Sequence, residues 1–114
     1  MATKPIRKRF EVPVYNCTVY VCLAEDLNAE HERMAIFPSM AGQKYSALLA
    51  YTDDGRFGLF LPHKPTHETI AHELFHLTHR IAEWAGVPFH TENHEAFAHI
   101  QGYVAQKVYE IVED

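Results

Sequence analysis

The five residues His72-Glu73-Leu74-Phe75-His76, an H-E-x-x-H pattern, limit what this chain can become more than any other stretch. On a helix, side chains four apart lie one turn above each other on the same face, so His72 and His76 can hold one ion together. Neutral imidazole is a preferred zinc ligand, and two from one helix leave room for a third ligand and a water. Glu73 projects about 100° round the helix from His72, where it could take a proton from that water. The chain carries nine histidines, so the five letters need support from their surroundings.

That support is present. Ile70, Leu74, Leu77, Ile81 and Ala85 recur at helical spacing, with Phe75, Ala82 and Trp84 widening the apolar stripe. His72, His76, His79 and Glu83 fall on the opposite side. Thr66 after Pro65 is an expected N-cap, Glu68 complements the helix dipole, and Gly86 followed by Pro88 is a stop signal. The motif therefore sits on an amphipathic helix with its imidazoles off the core face.

A third ligand must come from elsewhere, and Glu92, His94, Glu95 and His99 are on offer. With 91–112 taken as a helix, Glu95, Ala98, Gly102 and Ala105 share one side, while Phe97, Ile100, Val104, Val108 and Ile111 form a separate apolar stripe. A glycine inside a helix costs about 1 kcal/mol relative to alanine, so a close backbone approach is expected at Gly102, with Glu95 at the contact. Glu95 is the favoured third ligand, and His94 the reserve.

This combination, His72-Glu73-x-x-His76 followed by Glu95, Ala98 and Gly102 on the next helix, resembles the gluzincin branch of zinc metallopeptidases, and more narrowly the very small minigluzincins of bacterial and phage genomes. The resemblance covers residues 66–103 and is only architectural before them. It implies zinc as cofactor, held by His72, His76 and Glu95, with Glu73 as general base and a peptide or protein as substrate. It also implies that a sheet edge beside the metal holds substrate in extended form, so one strand of the hairpin around residues 53–56 becomes the candidate edge. The metzincin pattern of a glycine and a third histidine soon after the motif is missing. Neither cysteine has the setting that a peptide deformylase requires.

Other residues carry weaker assignments. His99, one turn after Glu95, is read as a candidate catalytic donor to a developing oxyanion, and Tyr103 as a lesser one. His79 is too far along the helix from His72 to share one ion. His31, His63, His67, His90 and His94 are expected at the surface, and Phe75, Trp84 and Phe97 in the core. An N/O site of this type would also accept iron, cobalt or manganese.

The remaining chain indicates a single domain over residues 1–114, with 1–6 a loose tail. Its expected class is α+β: a small mixed or antiparallel β-sheet packed on the motif helix and a following C-terminal helix, a minimal zincin-like layout. Strands are expected at 10–14, 18–23, 45–52 and 57–61, with Pro13 marking an edge and Asp53-Asp54-Gly55-Arg56 a hairpin turn. Asp26 should cap a helix ending before Pro38, and 39–44 should form a loop. A formal charge of −5, with a basic start (Lys4, Arg7, Lys8, Arg9) too short to matter, argues against nucleic acid as partner. The chain has no membrane-length apolar run and no secretory h-region. Cys17 and Cys22 match no metal or redox motif and read as half-buried thiols of a cytoplasmic protein. Because the chain stops soon after the Glu95 helix, the cleft should be shallow, or closed by self-association or a partner chain. The rival reading is a zinc-stabilised protein-binding module with little catalysis; a further one is a zinc hydrolase acting on non-peptide amides or esters.

Overall fold

A computed structural model describes residues 4–34, 47–88, 90, 92 and 94–113. The element order is β1 (Ile6–Val12), β2 (Cys17–Leu23), α1 (Leu27–Met34), β3 (Leu48–Tyr51), β4 (Arg56–Leu61), α2 (His67–Ala85) and α3 (His94–Val112). The class is α+β, a four-stranded mixed sheet with three helices. The loop expected at 39–44 and the start of the third expected strand, 45–46, lie outside the described residues.

Strand order is β1-β2-β4-β3. β1 pairs antiparallel with β2 from Ile6↔Leu23 to Val12↔Cys17, and β3 pairs antiparallel with β4 from Leu48↔Phe60 to Tyr51↔Phe57. The central pair, β2 and β4, is parallel, from Thr18↔Arg56 to Leu23↔Leu61. Strands at the centre of a sheet are covered on both faces and need near-continuous apolar sequence. The buried run Phe57–Leu61 and the sequence Val19-Tyr20-Val21-Cys22-Leu23 meet that need.

One face of the sheet presents Val19, Val21, Leu23, Phe57, Leu59 and Leu61 to α2 and α3, which answer with Ile70, Leu74, Leu77, Ile81, Phe97, Ile100, Val104 and Val108. On the other face α1 covers Cys22, Leu48, Ala50 and Phe60 through Leu27 and Met34. α2 and α3 run in opposite senses: His67 meets Tyr109, and Thr78 donates a hydrogen bond to Gln101.

The local signals act as the sequence indicates. Thr66 Oγ1 accepts from Thr69 N at 3.1 Å, and Gly86 takes the left-handed conformation (φ 78°) that closes α2. Asp26 Oδ1 caps α1 by accepting from Ala29 N at 3.0 Å. β1 differs at both ends. It begins at Ile6, inside the expected tail, because the whole length of β2 is there to pair with it. It stops at Val12 rather than 14, because Pro13 has no N–H to donate and Val14 turns to φ 75°.

Two positive-φ positions should respond in opposite directions. Gly55 (φ +86°) lies under Trp84, where an added Cβ would sit 2.6 Å from the indole, and Trp84 Nε1 donates to Asp53 O at 3.2 Å. Gly55→Ala should destabilise by about 1–3 kcal/mol through left-handed strain and overpacking. Val14 is 88% exposed and β-branched in the same backbone region, so Val14→Gly should stabilise by up to about 1 kcal/mol. Urea unfolding of both variants beside the parent chain checks the pair of signs.

Candidate functional site

The apolar stripe of α2 fixes where the motif side chains go. Leu74 and Leu77 are sealed against the sheet, so His72 and His76 are turned to solvent. Their rings are edge-on at a centroid distance of 4.8 Å. Glu73 lies between the polar and apolar sides, its side chain 13% exposed, with Oε2 3.7 Å from His72 Nε2. An accessible imidazole pair with an adjacent shielded carboxylate is thus built from one helical turn.

Phe75 and Trp84 depart from expectation. Phe75 is 49% exposed and Trp84 37%, whereas Phe97 is buried as expected. Core space along α2 is filled by Leu74, Thr78 and Ala82, which point more directly at the sheet. Phe75 is left at the rim, 6.2 Å from both His76 and Phe97. The histidine pair therefore has an exposed aromatic ring beside it, which apolar periodicity alone could not separate from core.

α3 brings its residues to a different place. Glu95 and His99 form an exposed i,i+4 pair, His99 Nε2 to Glu95 Oε1 3.3 Å. Among the described residues, no group of three His, Cys, Asp or Glu stands close enough to hold a metal ion. The donor chemistry suits zinc, and two of the expected ligands, His72 and His76, are neighbours; Glu95 is not gathered to them. Glu92 and His94 are exposed near the start of α3. Gly102 is also exposed, and a Cβ there would meet nothing within 4 Å. The close backbone approach expected at Gly102 is therefore absent. Burial of Phe97, Ile100, Val104 and Val108 sets the rotation of α3 and turns its small-residue side outward. That side faces a cavity of about 620 Å³ lined by Val12, Tyr15, His99 and Tyr103 among others. Tyr103 donates its hydroxyl to Glu11 O at 2.9 Å, tying α3 to β1.

Of the two hairpin strands read as the substrate edge, β4 is internal, while β3 pairs only with β4 among the described residues. The Tyr51 ring at its end carries the Arg80 guanidinium at 4.8 Å. Glu83, on the ligand side of α2, is paired with Arg80 at 3.0 Å. No helix among the described residues is long and apolar enough to cross a membrane. Both cysteines are free and fully rather than half buried. Burial pushes the Cys17 thiol up to about 11, and burial with Glu30 nearby takes Cys22 to about 12, so neither is a ready nucleophile.

His31 is not at the surface. It is 1% exposed on the buried side of α1, edge-on to Phe60 at 5.7 Å. Burial holds its pKa below the usual histidine range, with Glu32 pulling weakly the other way. A depressed native pKa means that the unfolded chain binds a proton more readily, so the stability present above about pH 6.5 should fall on acidification through the native pKa. In His31→Leu this part of the slope should vanish, as read from thermal unfolding between neutral and mildly acid pH; parallel slopes would refute the assignment. Comparison with protein-family models, curated proteins and solved structures finds no match to the chain.

Proposed function

We propose that the protein is a zinc-dependent peptidase whose chemistry is centred on His72, Glu73 and His76. The reading is carried by one observation: a capped amphipathic helix presents two adjacent, solvent-facing imidazoles with a shielded carboxylate one residue away. His72 and His76 would hold the metal, and Glu95, although the rotation of α3 leaves it apart from them, is the proposed third ligand. Bound zinc supplies Lewis acidity toward a carbonyl and toward water. Glu73 would accept the proton of the attacking water and return it to the departing amine, and its partial burial keeps that proton from bulk solvent. His99 is the proposed donor to the developing oxyanion. The exposed Phe75 ring offers an apolar contact for a substrate side chain, and β3 an edge along which a peptide can lie extended.

A second reading, a zinc-stabilised module that grips a protein partner without turnover, draws on the Glu95–His99 pairing, which leaves the histidine pair one ligand short of a catalytic set. Metal analysis and peptide hydrolysis separate the two. About one zinc per chain is expected in the wild type, lost in His76→Ala and Glu95→Ala. Glu73→Gln should keep its zinc and lose turnover on the order of 10²-fold or more. Zinc retained with no hydrolysis by the wild type would favour the binding module. A Glu73→Gln enzyme at full rate would overturn the base assignment.

A further inference from the structure

The face of the sheet opposite α2 and α3 carries a cavity of about 440 Å³ lined by Arg7, Arg9, Tyr20, Arg33, Met34 and Arg56 among others. The chain has five arginines, and four of them are in that lining; the fifth, Arg80, is on α2. The cavity thus takes four of the chain's ten cationic side chains and, among the described residues, no carboxylate; Lys8 also borders it, but its side chain alternates onto the opposite face. Sheet register explains the gathering. Arg7 lies opposite Cys22 and Arg9 opposite Tyr20 in the β1–β2 pair, while Arg56 lies opposite Thr18 in the β2–β4 pair, so all three alternate onto the same face. The last turn of α1 adds Arg33.

Two of these groups are fixed in advance. Arg7 donates to both oxygens of Glu30, at 2.8 and 3.1 Å, and Arg33 Nε reaches Glu30 Oε1 at 3.4 Å. The Glu30 side chain is only 11% exposed, while Arg7 and Arg33 remain about half exposed, at 47% and 50%. The buried carboxylate thus orients two guanidinium groups whose other edges stay accessible. Arg56 is anchored in a similar way by Asp54 at 3.0 Å. Arg9 has no ion-pair partner among the described residues and is exposed.

We infer that this cavity binds a compact phosphate-bearing small molecule of nucleotide size, and the inference does not depend on the proposed peptidase. Guanidinium groups converging from two strands and a helix match a tetrahedral multi-oxygen anion better than a single carboxylate, which Glu30 already supplies. The volume is that of a small-molecule site, and Tyr20 and Met34 give the same wall an apolar surface for a flat ring. A long nucleic acid strand fits less well. Beyond these four arginines, six cations face the chain's 15 carboxylates, a field that repels an extended polyanion beyond the pocket.

Isothermal titration with ATP in EDTA-containing buffer tests this, the chelator removing any metal from the histidine pair. One site per chain is expected, with adenosine showing no binding and inorganic pyrophosphate showing competition. Arg9→Gln and Arg56→Gln should each weaken ATP by about tenfold, with circular dichroism confirming an intact fold, while Arg80→Gln leaves the affinity unchanged. Absence of binding at millimolar ATP, equal affinity in all three variants, or binding of a short single-stranded oligonucleotide without ATP would each overturn the inference.

Discussion

The packing of α2 on the parallel pair β2–β4 is the constraint on which the remaining features depend. Leu77 and Ile81 are wholly buried against Leu59, Phe57 and Val19 or their neighbours in one cluster, and each such side chain contributes about 1.5–3 kcal/mol by leaving water. No rotation of α2 that exposed them could be offset by anything on its polar side. The outward position of His72 and His76 is therefore a consequence of core burial, and the imidazoles need no interaction of their own to stay there. Trp84 adds a second clamp at the far end of the helix, covering Gly55 and binding Asp53 O, which ties the β3–β4 turn to α2.

The second layer is organised differently. Under α1 a small apolar cluster is bordered by polar groups that could not be buried alone. Glu30 is sheltered because Arg7, Arg33 and the Cys22 thiol donate to it, and the Arg7 guanidinium holds its carboxyl below the usual range against the opposing effect of burial. The partners come from β1, β2 and α1, so this one carboxylate reports that the helix and both strands are correctly assembled. The consequence for function is a sheet with two unlike faces: one bears the histidine helix beyond its apolar core, the other a concentration of arginine. An acidic chain of charge −5 has kept four of its five arginines in one place.

The sequence by itself determined what is local. Thr66, Asp26, Gly86 and the Asp53–Arg56 turn each act within a few residues, where side-chain caps and left-handed backbone decide the outcome regardless of the rest of the chain. The apolar period of α2 likewise settled that His72 and His76 share an exposed face. Periodicity was less informative at the margins of a stripe: Phe75 and Trp84 have the right spacing to be core, yet Leu74, Thr78 and Ala82 occupy the space nearest the sheet. Tertiary structure alone decided the parallel pairing of β2 with β4, the burial of His31 against Phe60, and the rotation of α3 that leaves Glu95 beside His99 with Gly102 in the open. It also decided that Arg7, Arg9, Arg33 and Arg56 meet, although the alternation of Arg7 and Arg9 was a visible hint. The physical reason is common to all of these. Caps and turns are satisfied by neighbours in sequence, whereas a side chain at the edge of a stripe, or a charge on one strand, is placed by whichever distant surface has the room and the partners to receive it.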